Sequence, residues 1–346
     1  MLSKLKSAIS PPPPRKAPIP IKTTYTSLPI TLPPSFLTTP LPDDALPITI
    51  TPIPWPQTPL PEYAPLYATV LDNVLSPSEC AQLLRLVEST VPPLGAEGAE
   101  LRRSETDPWM PALVNVGGGF EVLEAGYRNG ERIVWDCQEV VDRVWERCVE
   151  AEGGRLKGRF ARIEEGERDL VGYSAVVGRG KGDRGEKARR RVEGGAGGDG
   201  EEEEEEEEEE AWWEFLRVNE RMRFLRYGKG GFFRPHCDSP YRDVQDPSRR
   251  IVTMFTIHLY LNDSKAEVPG ADLVGGATTF FSNDEKRRLD VHPKAGRVLI
   301  FQHRRLLHSG DDVLAGTKYT MRTDIMYEFK IRKKRRGNEE ESDVVQ

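Results

Sequence analysis

Apolar residues recur with a helical period in two stretches of the chain. Cys80, Leu83, Leu84 and Val87 fall at i, i+3, i+4 and i+7, the spacing of a helix that buries one face. Ser76-Pro77-Ser78-Glu79 stands before them as a capping box with proline at the first helical position. Val141, Val144, Trp145 and Cys148 repeat the spacing, and Asp136 with Glu139 three residues on predicts the start of that second helix. Beyond Trp212 the period falls to two. Arg221–Tyr227 reads as a short strand and Ile251–Asn262 as a longer one. In the longer strand Thr253, Phe255, Ile257, Leu259 and Leu261 share one face, and Thr256, His258 and Tyr260 share the other. Gly275-Gly276 precedes a strand at Ala277–Phe281, Gly296 one at Arg297–Phe301, and Gly316 one at Lys318–Phe329. Strands punctuated this densely by glycine predict a barrel or sandwich.

Other segments lack either period. Residues 1–61 hold 17 of the 28 prolines, so they are expected to be a disordered or extended N-terminal segment, with order beginning near Tyr67. Residues 179–210 are glycine, lysine, arginine and glutamate with almost no apolar members, ending in ten consecutive glutamates. They are expected to be a low-complexity insertion within one folded domain, 62–329, because strand-like sequence lies on both sides. Residues 330–346 are expected to be a disordered tail. Its basic start is either a solvated terminus or a nuclear localisation signal.

Composition narrows the classes. The formal net charge is -7, and the ten glutamates account for more than all of it, so the folded part is close to neutral and offers no clear nucleic-acid site. No stretch approaches the ~18 apolar residues of a membrane span. Cys80, Cys137, Cys148 and Cys237 form no CxxC pair, and no apolar signal core opens the chain. The expected setting is therefore reducing, in cytoplasm or nucleus, and not secreted. Lys4, Lys6, Arg15, Lys16 and Lys22 with no acid before Asp43 make a mitochondrion the alternative.

Candidate chemistry rests on five histidines. His236-Cys237-Asp238 is a His-x-Asp, and on a strand its imidazole and carboxylate point to one face. His308 follows just after the apolar strand that ends near Phe301. Two imidazoles and one carboxylate on one side of a metal make the facial triad of non-haem Fe(II) oxygenases. His303 is the competing third donor; His308 is favoured because His308-Ser309-Gly310 reads as a strand end entering a turn. His258 and His292 read as structural. Lys318, ten residues after His308, supplies a cation that could hold the distal carboxylate of 2-oxoglutarate.

Together these motifs resemble a known family. Tyr227-Gly228 through Phe233, then His236 and Asp238, Gly275-Gly276-Ala277-Thr278, His308, Gly316 and Lys318 resemble the prolyl 4-hydroxylase catalytic domain, a branch of the Fe(II)/2-oxoglutarate dioxygenases. Arg128-Asn129-Gly130-Glu131-Arg132 and Asn219-Glu220-Arg221 resemble a soluble subgroup of it. The resemblance implies a mainly β fold with flanking helices, a double-stranded β-helix or jelly roll. It implies His236, Asp238 and His308 as iron ligands, Lys318 as the 2-oxoglutarate anchor, and Tyr227 and Tyr260 along the 2-oxoglutarate pocket; those tyrosines read equally well as core aromatics.

The activity implied is hydroxylation of a C–H bond with release of succinate and CO2. The cofactor and co-substrates implied are Fe(II), 2-oxoglutarate and O2, with ascorbate as an accessory. A prolyl or other protein residue, or a small molecule, is the expected substrate. A non-catalytic jelly-roll module is the remaining alternative. The sequence does not speak to oligomeric state.

Overall fold

The computed structural model describes residues 19–38, 45–97, 101–164, 166, 167, 170 and 208–334. Two sheets face each other as a jelly roll. In the larger one the strands Thr49–Pro52, Ala68–Asp72, Val298–Gln302, Ile251–Tyr260, Lys318–Lys334, Arg221–Tyr227, Glu131–Asp136 and Met110–Pro111 lie side by side in that order. Glu208–Val218 pairs with the upper half of Lys318–Lys334. The smaller sheet runs Arg288–Val291, Thr278–Phe281, His308–Gly310, Phe232–His236, Arg128–Asn129. The pairs forming these ladders are antiparallel.

Two helices cover the outer face of the larger sheet. Ser76 caps Pro77–Ser89: its Oγ accepts from Glu79 N at 3.2 Å while its own N donates to Glu79 Oε2 at 2.8 Å. The same Glu79 carboxylate takes both terminal nitrogens of Arg147, at 2.9 and 3.0 Å, from the second helix, Gln138–Gly154. Cys80, Leu83, Val87, Val141, Val144 and Cys148 are buried against Ile133, Phe224, Ile257 and Ile325 of the sheet. The second helix does not start where the acid pair suggests. Cys137 is its N-cap. Asp136 ends a strand, and its carboxylate is occupied by Arg221 at 2.7 and 2.9 Å, a tertiary contact invisible to local pattern.

Within Ile251–Tyr260, period two holds from Phe255 onward. Phe255, Ile257 and Leu259 face the helices, whereas Thr256, His258 and Tyr260 face the space between the sheets. Thr253 departs from the expectation. A bulge lies between Thr253 and Phe255, so Val252 and Met254 join the apolar cluster while Thr253 Oγ1 accepts from Tyr241 N at 2.8 Å. A bulge inserts one residue and reverses the alternation.

Order does not begin at Tyr67. Within 19–38, Phe36 and Leu37 are buried in the main core. Thr49–Pro52 adds an edge strand beside Ala68–Asp72, and prolines are tolerated because an edge leaves N–H positions unused. Trp55, Leu60 and Tyr63 are buried under the smaller sheet, with Trp55 Nε1 donating to Leu66 O at 2.8 Å. A few aromatic anchors thus fix a segment whose composition reads as tail. The boundaries expected at 179–210 and 330 also shift. Glu208–Glu210 are strand residues paired in register with Arg332–Lys334, and Glu210 binds Arg162 at 2.6 Å and Arg332 at 2.7 Å. Residues 1–18, 39–44, 179–207 and 335–346 of those expectations lie outside the described residues. Among the described residues no helix is long and apolar enough to cross a membrane.

Candidate metal centre and co-substrate pocket

His236 ends the strand Phe232–His236, and the ladder sets it opposite His308, the first residue of His308–Gly310. Their ring centroids are 4.4 Å apart. Asp238 lies two residues past the strand end and is 7% exposed; Cys237 between them is exposed. Asp238 Oδ1 sits 3.7 Å from His236 Nε2, and Oδ2 sits 3.9 Å from His308 Nε2. One donor atom from each of the three residues falls within 4.8 Å of the others.

The donors suit a divalent metal. His236 Nδ1 donates to Arg234 O at 2.8 Å and His308 Nδ1 to Leu306 O at 2.9 Å. Those carbonyls fix the proton on Nδ1, so each Nε2 presents a lone pair toward Asp238. Burial, with the positive field of His308, pushes His236 down to about 3. Burial also lowers His308. Burial pushes Asp238 upward, but Arg322 and the two imidazoles outweigh it and hold the carboxyl well below the usual carboxylate range. At neutral pH the set is two neutral imidazoles and one anion, the charge state a metal requires.

Two further groups clamp Asp238. Thr256 Oγ1 donates to its Oδ2 at 2.6 Å, and Arg322 Nη1 lies 3.0 Å from its Oδ1. Arg322 Nη2 also reaches Asp324 Oδ1 at 3.2 Å. His303 is not beside the other histidines. It is buried with Nε2 3.3 Å from Asp324 Oδ1. His292 uses its backbone, accepting from Arg297 at 2.9 Å.

A cavity opens from this cluster toward Lys318. Lys318 begins the longest strand and is 2% exposed. Its ammonium lies 5.7 Å from the Tyr260 ring and 5.9 Å from the Tyr227 ring, with no carboxylate in salt-bridge range among the described residues. Burial, slightly offset by Asp311, pulls its pKa down to about 8. Tyr260 Oη donates to Thr278 Oγ1 at 2.7 Å. Gly276 must be glycine here: its φ is +70°, and a Cβ would meet Lys318 Cδ at 3.2 Å. The cavity therefore offers a cation, the Thr278 hydroxyl and three metal donors, while Tyr260 stands behind Thr278 and is not in the lining.

Sequence reasoning missed several cavity residues. His258 is not a packed structural histidine: it lines the cavity, 4.8 Å from Tyr260, and its Nε2 has no partner. Burial, with Lys318 and Arg322 nearby, drives it well below its ordinary pKa. Thr256 and His258 share a strand face with Tyr260, and that shared face was the available signal. Arg128 also lines the cavity; its motif Arg128–Arg132 stood out in the sequence, but no role at the site was drawn from it.

Comparison with known proteins gives one family. The 2OG-Fe(II) oxygenase superfamily matches residues 222–323. No curated protein matches the chain. Among solved structures, the chain is similar to the viral collagen prolyl hydroxylase of Paramecium Bursaria Chlorella virus-1, at 16% identity and TM-score 0.36, covering 75% of this chain and 96% of that one. It is similar to a Pseudomonas putida prolyl-4-hydroxylase, at 15% identity and TM-score 0.37, covering 77% and 95%. It is also similar to a Trichoplax adhaerens prolyl hydroxylase in complex with a hypoxia inducible factor peptide fragment, at 13% identity and TM-score 0.36, covering 75% and 82%. The match to the 2OG-Fe(II) oxygenase superfamily thus falls on residues 222–323, the part of the chain that carries His236, Asp238, His308 and Lys318.

Proposed function

We propose that the enzyme hydroxylates a C–H bond and couples it to oxidation of 2-oxoglutarate. One observation carries this reading: three clustered metal donors, two of them buried, and a buried lysine ammonium with no carboxylate partner among the described residues line one cavity. The reaction balances as 2-oxoglutarate, O2 and R–H giving succinate, CO2 and R–OH, with one oxygen atom entering succinate and the other the product. His236, Asp238 and His308 would hold Fe(II), which supplies the redox chemistry when bound. Lys318 holds the distal carboxylate of 2-oxoglutarate, a charge-assisted contact strengthened by burial. Thr278 adds a hydroxyl beside it, held from behind by Tyr260, and Tyr227 closes the apolar wall. Thr256 and Arg322 hold the Asp238 carboxylate so that it cannot rotate away. Phe301 and Leu225 exclude water from the cavity between.

The motifs that resemble prolyl 4-hydroxylases make a prolyl or other protein residue the first substrate to test, with a small molecule as the alternative. Ascorbate enters as the reductant expected to rescue idle turnovers. The test is succinate formation by the purified protein with Fe(II), 2-oxoglutarate and ascorbate, followed by mass spectrometry of added peptides and metabolites for a +16 Da product. Iron-dependent succinate, absent from His308→Ala, is the expected result. Succinate formation that is unchanged in His308→Ala overturns the reading.

A further inference from the structure

Among the described residues four arginines are buried: Arg128, Arg132, Arg147 and Arg297. Three have carboxylate partners. Arg132 binds Glu121 at 2.8 Å, Arg147 binds Glu79 at 2.9 Å, and Arg297 binds Asp72 at 2.6 Å and Glu267 at 2.8 Å. Arg128, 8% exposed, has none. Its Nη1 makes a long contact to Leu113 O at 3.3 Å, and its Nε is buried without any partner. A buried guanidinium with free donors costs folding free energy, and buried charges are ordinarily paired. The exception therefore asks for an acceptor from outside the chain.

Its position says what that acceptor belongs to. Arg128 lines the metal cavity and also a second, outer cavity of about 420 Å³, so it forms the wall between them. Its guanidinium lies 4.5 Å over the Phe233 ring, and Phe233 stacks on His236 at 3.8 Å. The outer cavity is also cationic on balance. Its two acids, Asp107 and Glu131, are both held by Arg226 at 2.6 Å. Arg103 and Lys229, which line the same cavity, make no ion pair among the described residues. A molecule reaching the metal from this side passes free positive charge and meets a planar, preoriented fork of donors.

We propose that Arg128 is a specificity-determining residue that binds a carboxylate of the substrate, so that the enzyme takes a carboxylate-bearing substrate through the outer cavity. This rests on the hydroxylase reading above and names the substrate class for that site. The shared chemistry is one carboxylate, carried either by a small acid or by an acidic residue of a peptide. Lys318 lies on a separate strand at the co-substrate end, so the two cations serve two different carboxylates.

The test uses the holoenzyme with Fe(II) and 2-oxoglutarate under anaerobic conditions, with binding read by calorimetry. N-acetyl-L-proline against N-acetyl-L-prolinamide probes a free small acid. N-acetyl-glutamyl-prolinamide against N-acetyl-glutaminyl-prolinamide probes an acidic peptide residue. The proposal expects at least one acid to bind about tenfold or more tightly than its amide. That preference is lost in Arg128→Gln and partly restored in Arg128→Lys. The pair showing the preference identifies the source. Metal titration of both variants accompanies the binding measurements and shows that the site is still assembled. If the wild-type enzyme shows no acid-over-amide preference, including through failure to bind any probe, or if Arg128→Gln keeps the preference, the assignment is overturned. Absence of substrate-free succinate formation by the wild-type enzyme would instead sink the hydroxylase reading, so the two failures are distinguishable.

Discussion

Arg322 Nη1 lies 3.0 Å from Asp238 Oδ1, on a guanidinium whose Nη2 is held by Asp324 at 3.2 Å. The residue belongs to the strand of Lys318, on the same face by period two, but it serves the other end of the cavity. Asp238 accepts from Thr256 on one oxygen and forms an ion pair with Arg322 through the other, so its orientation is determined before any metal arrives. Groups that orient a metal ligand typically change affinity 10- to 100-fold when removed. Arg322→Gln is expected to weaken Fe(II) or Mn(II) binding by about that factor while the 2-oxoglutarate KM changes little. Metal titration of the apoprotein checks this without relying on turnover, and unchanged metal affinity would show that Asp238 needs no such partner.

Substitution of the three donors separates the two candidate third ligands. His236→Ala, Asp238→Ala and His308→Ala are each expected to abolish 2-oxoglutarate turnover and to remove metal binding. His303→Ala is expected to retain metal binding and to lose stability instead, because it strips the buried Asp324 of a neighbour 3.3 Å away. Metal binding by His308→Ala together with its loss in His303→Ala would exchange their roles.

The proline-rich segment offers a test of the fold rather than the chemistry. Phe36 is 3% exposed within the main core. Tyr25 binds both Glu121 and Arg132 through its hydroxyl. Phe36→Ala should cost about 3–5 kcal/mol, the range for emptying a buried phenylalanine site, read by urea denaturation. A change under about 1 kcal/mol would show that 19–38 is not part of the cooperative unit. The insertion gives the opposite expectation. Removal of 179–207 should leave the melting temperature nearly unchanged, because charged low-complexity sequence builds no core. A deletion carried on through Trp213 should unfold the sheet, since that indole is fully buried.

Legibility followed the range of the forces involved. Capping at Ser76, the strand at Arg221–Tyr227 and the two faces of Phe255–Tyr260 are set by local chemistry and period, and each was readable in order along the chain. The convergence of His236, Asp238 and His308 was readable from the His-x-Asp spacing and the turn after Phe301, although the strand ends at His236 and the alternation expected to aim Asp238 does not reach it. What the sequence hid depends on distant partners. Asp136 looks like a helix cap until Arg221 occupies it. Residues 19–38 and 45–61 look like tail because proline content outweighs the few aromatic residues that anchor them. His258 shares a face with Tyr260, but only the fold shows that its Nε2 meets an open cavity. Arg128, unlike Arg132, makes no ion pair among the described residues, a property that no local pattern contains.

Lys318 yields the sharpest pH test. Burial holds its pKa at about 8, below the ordinary 10.5 of lysine. Below about 8 the side chain is an ammonium and can hold a carboxylate; above it the free enzyme increasingly carries a neutral amine. The 2-oxoglutarate KM should therefore be flat between about pH 6 and 8 and then rise, approaching about tenfold per pH unit, because the profile follows the protonation of the free enzyme. Stability moves the other way. Between about pH 8 and 10.5 the unfolded chain binds a proton at this lysine that the folded chain has released, so this lysine's contribution to folding stability increases with pH across that window. Lys318→Ala should raise the 2-oxoglutarate KM about 10- to 150-fold at neutral pH, given ~1.5–3 kcal/mol for a charge-assisted contact. It should also flatten the alkaline rise, while metal affinity stays near normal. A KM that remains low past pH 9 in the wild-type enzyme, or a near-normal KM in Lys318→Ala beside a large rise in Arg322→Ala, would move the anchor to Arg322.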